Sequence, residues 1–179
     1  MYVPKHFEEK DLREIEALVK EFSFATLVSA KDGIPCATHI PLELEIDAEG
    51  RWLLHGHMSR ANPQWRNFEP LVDVLAIFMG PHTYVSPSWY SKPNVPTWNY
   101  KAAHLYGKAR IIEGEELESR LRKIMARYEN AHAEKPLRYE DVPAKIKEVD
   151  LRGLVGFEIE VTKIEAASKL SQNRDTESH

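Results

Sequence analysis

WLLHGHMSRANPQWRNF, residues 52–68, decides how the rest of the chain is read. It reads as a buried strand, a short polar turn and a helix that opens with proline. Trp52, Leu54 and Gly56 share one face of the strand, with Leu53, His55 and His57 on the other. Asn62 suits an N-cap and Pro63 the first helical position, where the missing N–H costs nothing. A helix N-terminus has free N–H groups and partial positive charge, so it favours an anion. Ser59 and Arg60 stand just before it and supply a hydroxyl and a guanidinium suited to phosphate. The same residues also read as a well-capped βα turn carrying an exposed arginine. No glycine run is present, so neither a P-loop nor a dinucleotide fingerprint fits.

Working outward, 179 residues suffice for one well-buried domain. A hydrophobic share of 42% and a charged share of 29% fit a globular protein. No apolar run approaches the roughly 20 residues that span a bilayer, and MYVPKHFEEKD at the start lacks a signal-peptide core. The single cysteine, Cys36, excludes an internal disulfide and fits a reducing cytoplasm. A net charge of −4 argues against bulk attraction to nucleic acid or anionic lipid.

Leu12, Ile15, Leu18, Val19 and Phe22 follow helical spacing and predict a helix over 8–22. Strands are expected at 24–29 and 34–39 around a Lys-Asp-Gly turn, at 42–46 with one wet face, at 52 onward and at 72–79. Residues 80–100, GPHTYVSPSWYSKPNVPTWNY, show neither periodicity. They read either as a loop covering its own core or as an aromatic wall for a planar ligand or partner subunit. A strand over 104–112 and a helix over 115–134 follow. Arg120, Lys123 and Arg127 of that helix form a basic stripe, more in keeping with a solvated face than with a nucleic-acid footprint. A short helix over 144–149, a strand over 154–164 and a polar tail over 169–179 complete the chain. About six strands with hairpin-like connections predict a mainly β (α+β) fold, an antiparallel barrel with peripheral helices. Residues 1–168 would form a single domain.

His55 and His57 could serve a metal, but no further ligand stands at a suitable spacing, so lining of a cleft is the reading carried forward. His39, Ser59 and an acidic residue do not make a hydrolase triad without a nucleophile elbow.

Taken together, MYVPKHF, HGHMSRANPQW, GPHTYVSPSWY, VPTWNY, HLYGKARI and KLSQNR resemble the PaiB family, within the FMN-binding split-barrel superfamily. The resemblance spans nearly the whole chain. It implies a homodimeric split β-barrel with FMN at the subunit interface, and an association with repression of protease synthesis and sporulation. It implies that Ser59 and Arg60 hold the FMN phosphate, with Asn62 in the same turn; Ala61 stands where the superfamily commonly has lysine. Thr38, His39 and Ile40 would lie along the isoalloxazine ring, His55 and His57 near the ribityl chain, and Lys169 and Gln172 at the pocket. Three functions stay open: a flavin-binding regulator acting indirectly rather than on DNA, an FMN-dependent oxidoreductase on a small substrate, and a haem-binding protein. No residue announces itself as an essential acid or base.

Overall fold

A computed structural model describes residues 1–90 and 94–173. Its framework is one antiparallel sheet of eight strands: β1 (Glu8–Glu9), β2 (Phe24–Lys31), β3 (Ile34–Pro41), β4 (Glu43–Ile46), β5 (Trp52–Ser59), β6 (Asp73–Val85), β7 (Thr97–Ile112) and β8 (Leu154–Lys169). The order is β3-β2-β6-β7-β8-β5-β4, with β1 added beside β8. Six strands in an antiparallel split barrel were expected; the sheet has eight and its path stays open. Ile40 of β3 and Leu44 of β4, from opposite ends of that path, nonetheless lie in one core with Leu27, Leu54, Phe78, Leu105, Phe157 and Ile159. The sheet therefore curls around a single apolar interior, as burial of one face of every strand requires.

Alternation explains the strands. In β2, Ala25, Leu27 and Ser29 point inward, while Phe24, Thr26 and Val28 point outward. The β2–β3 hairpin turns at Asp32 and Gly33, both with positive φ (52° and 78°), where glycine and aspartate are the tolerant residues. Helix α1 (Leu12–Glu21) starts at Asp11, whose carboxylate accepts from the Arg13 N–H, and packs Ile15, Leu18 and Val19 into the core. It is shorter than expected, because Glu8 and Glu9 pair with Ala167 and Ala166 of β8.

Residues 80–100, which show no strand periodicity, are strand at both ends, 80–85 and 97–100. β6 continues to Val85 and pairs with β7 from Thr97 onward, making a long hairpin; residues 91–93 lie outside the described set. The register shifts between Met79 and His82, so Pro81 sits at the irregularity and the alternation is broken in the sequence. Similarly, β8 extends to Lys169, beyond the expected 164. β7 and β8 slip register between Tyr106 and Gly107, where a Cβ on Gly107 would stand 2.2 Å from the Glu160 carbonyl oxygen. Only glycine fits that approach. Helix α2 (Gly114–His132) and helix α3 (Ala144–Gly153) lie outside β5 and the start of β8. No described helix is long and apolar enough to cross a membrane.

Candidate functional site

β5 behaves as its sequence predicts. Trp52, Leu54 and Met58 enter the core, and His55 and His57 share the opposite face. A Cβ on Gly56 would stand 2.6 Å from the Phe157 ring and 2.7 Å from Leu42, so the inward face is packed against this glycine.

The turn after β5 is tied down by its own polar groups. Asn62 caps the following segment by accepting the Gln64 N–H (3.0 Å), and its amide donates to Thr38 Oγ1 (2.8 Å). Gln64 is buried and binds across to β2 and β3: Thr38 Oγ1 donates to its carbonyl at 2.5 Å, and its amide donates to the Leu27 carbonyl at 2.9 Å. Trp65 donates its indole N–H to the Arg60 carbonyl (3.2 Å) and packs against the core. Gln64 was not among the expected site residues, although it holds Thr38 and Asn62 in one network. Its position after Asn-Pro is the one signal the sequence offered.

Two features of the expected anion site change. The segment after Asn62 is a five-residue 3₁₀ turn, Pro63–Asn67, rather than an α-helix. Its first free N–H, on Gln64, is already met by Asn62, so little helix-end charge remains for an anion. Arg60 is also partly engaged: Nε donates to the Arg152 carbonyl (3.1 Å) and Nη2 to the Leu154 carbonyl (2.8 Å). Among the described residues Nη1 has no hydrogen-bond partner, and the side chain is half exposed. Ser59 is exposed, its hydroxyl accepting only the Ala61 N–H (3.3 Å). The hydroxyl of Ser59 and the free edge of Arg60 thus fit a solvent-facing phosphate, held by side chains rather than by a helix end.

The other expected residues disperse. Thr38 and Ile40 turn inward, whereas His39 faces outward, bonded to Thr26 (3.0 Å) and stacked on Phe24. Around it the outer faces of β2 and β6 are apolar: Phe24 is 68% and Met79 50% exposed, with Val28, Leu75 and Ile77 half-buried. Lys169 donates to Thr97 Oγ1 (2.6 Å) and Gln172 to the Ser168 carbonyl (2.5 Å), so both are engaged at the end of β8. The remainder of the tail motif, from residue 174, lies outside the described residues.

His55 and His57 lie beneath α2. Burial, helped by the Arg120 guanidinium, pushes His55 down to about 4 despite the nearby Glu158, and burial lowers His57 as well. Both rings are therefore neutral at pH 7. The basic stripe on α2 faces the sheet rather than open solvent: Arg120 and Lys123 bind Glu45, and Arg127 binds Glu43. Burial pushes the Glu45 carboxyl up, but hydrogen bonds from Lys123 and Arg120 outweigh it and hold it below its usual value. No cluster of three or more His, Cys, Asp or Glu residues able to hold a metal occurs among the described residues.

A family model described as "Putative FMN-binding domain" matches residues 1–163. The chain belongs to this FMN-binding family. It is 46% identical over 175 residues to "Protease synthase and sporulation protein PAI 2" of Bacillus subtilis, covering 98% of this chain and 84% of that protein. The PaiB resemblance read from the sequence blocks is thereby established. Among solved structures, the flavocytochrome Anf3 from Azotobacter vinelandii superposes with a TM-score of 0.70 at 16% identity, covering 99% of this chain and 77% of that one. An FAD- and haem-binding protein from Mycobacterium smegmatis gives 0.66 at 14% identity, covering 90% and 73%. At such identities these two likenesses speak for the fold.

Proposed function

We propose that this FMN-binding-family chain acts as a homodimeric flavin-nucleotide protein of PaiB type, which restrains protease production and sporulation indirectly. The observation that carries the reading is the Ser59/Arg60 turn. It is locked to β3 through Asn62, Thr38 and Gln64, while a serine hydroxyl and the Nη1 edge of Arg60 stay open to solvent. Thr38 braces this turn, and His39 belongs to the outer sheet face. FMN, when bound, would supply one- and two-electron redox chemistry that the side chains do not possess. The chain's own contribution is to hold the phosphate and offer a flat bed.

That bed has one wall within a single chain. The apolar outer face of β2 and β6 around Phe24 and Met79 is the surface that a second copy would cover. Indirect action follows from charge. The net charge is −4, and the basic residues of α2 are already paired: Arg120, Lys123 and Arg127 with Glu43 and Glu45, and Arg122 with Glu140.

Titration of FMN into the purified protein, followed by quenching of flavin fluorescence, tests the reading. Arg60→Ala removes a charge-assisted contact of about 1.5–3 kcal/mol and weakens binding roughly ten- to a hundred-fold. Equal affinities in wild type and variant overturn the assignment of the phosphate. The absorption spectrum of the same material separates flavin from haem.

A further inference from the structure

The outer face of β5 carries a polar group that the fold leaves unanswered. His55 is 2% exposed, and neither ring nitrogen has a hydrogen-bond partner. A neutral imidazole has one N–H to donate and one lone pair to fill, and leaving both unmet in a dry site is costly. Glu158 comes within 3.6 Å of Nδ1, beyond hydrogen-bond range, and its other oxygen is held by Arg110 at 2.8 Å.

His55 faces a cavity of about 190 Å³ between β4, β5 and α2. Arg120, Lys123 and Arg127 stand in its wall against Glu43 and Glu45, and Glu158 lies behind His55, 4.0 Å from Arg120 and shared with Arg110. Next to it, sharing Ile124, a cavity of about 240 Å³ lies over His57, with Leu121, Met125 and Leu151 in its wall. The two histidines are about 7 Å apart, two residues along a strand. Only Leu117 of α2 is fully buried; Leu121, Ile124 and Met125 are half-buried and border this empty space instead of a packed core. Besides Leu117, the helix is held by ion pairs to Glu43 and Glu45 and by the Tyr128 hydroxyl, which bonds Ser23 and Glu43.

We propose that the space beneath α2 is a binding site for a small carboxylic acid with an apolar body. Its carboxylate takes Arg120 and Lys123 from the partly exposed Glu45 and accepts the N–H of His55. Its hydrocarbon passes Ile124 and covers Leu121 and Met125, giving α2 the apolar partner it lacks. The site is separate from the Ser59/Arg60 turn and does not rest on the flavin reading.

Octanoate, octanol and acetate are the probes, titrated calorimetrically into the full-length protein without flavin. Octanoate is expected to bind saturably at one site per chain, at least tenfold more tightly than octanol, with acetate silent. Ile124→Trp, which sets an indole across the junction of the two cavities, is expected to abolish octanoate binding while its circular dichroism spectrum stays that of wild type. Should that variant not fold, Arg120→Gln/Lys123→Gln supplies the second arm, and the preference for octanoate over octanol is expected to vanish. In wild type, octanoate is expected to shift the ring-proton NMR signals of both His55 and His57. Absence of saturable binding at millimolar octanoate, equal affinity for octanoate and octanol, or undiminished binding in folded Ile124→Trp overturns the proposal.

Discussion

Acid should destabilise this protein in part through one buried ring, and His55→Gln isolates its share. In the unfolded chain His55 takes up a proton near pH 6.5; in the native chain burial delays protonation to about pH 4. Between those values the unfolded state binds more protons, so stability is full above pH 6.5 and falls as the pH drops toward 4. A difference of about 2.5 pKa units corresponds to roughly 3 kcal/mol lost across that window. The lowered value of His57 acts in the same direction. Glutamine keeps a polar side chain of similar reach but does not titrate, while His57 and every carboxylate are common to both proteins. The stability difference, wild type minus variant, should therefore fall by roughly 3 kcal/mol between pH 7.5 and pH 4. Urea denaturation at a series of pH values, with linear extrapolation, measures it directly. A difference that stays flat to within about 0.5 kcal/mol would mean that water or a shift of α2 solvates the ring, and the burial argument would fail.

Gly107→Ala should cost more than about 3 kcal/mol, because its Cβ would meet the Glu160 carbonyl at 2.2 Å in the middle of two paired strands; a urea midpoint near wild type would refute it. Gly56→Ala should cost about 1–3 kcal/mol, since the new methyl meets Phe157 and Leu42, side chains that can shift; thermal unfolding reads the loss. Gln64→Leu should lose about 2–3 kcal/mol and weaken FMN binding, because the Leu27 carbonyl loses its donor and Thr38 its acceptor; an unchanged FMN affinity would separate the network from the site. Light scattering should return twice the chain mass of 20.6 kDa at micromolar concentration, and Phe24→Asp/Met79→Asp should return the single mass.

The strands from β2 to β5 were legible because apolar and polar residues alternate along most of them, and Asp-Gly turns separate β2 from β3 and β4 from β5. The far half of β6 was not. Pro81 stands at a register shift, and the exposed run that follows it, residues 82–84, hides the alternation that pairing with β7 restores. The Pro63 turn looked helical from its cap, yet five residues do not complete two turns of α-helix. At the site, the facing of His55 and His57 followed from strand period alone. The direction of the α2 stripe could not follow from it, because the partners of Arg120 and Arg127 lie 75 and 84 residues away in sequence. Nor could the bonds of Arg60, whose acceptors are backbone carbonyls at Arg152 and Leu154. Side-chain type announces a phosphate ligand; only the fold reveals which of its N–H groups are already spent.

The open path of the sheet ends at β3 and β4, each an edge on which a foreign strand could grow. Both are defended in ways the sequence can afford. β3 carries Pro35 near its start and Pro41 at its end, neither of which can donate to an incoming strand. β4 is only four residues long and carries Glu43 and Glu45, which the basic residues of α2 cap from outside. Those ion pairs thus guard solubility as well as position a helix. A chain losing Pro35 and the α2 cations together should keep its fold and gain a tendency to form fibrils.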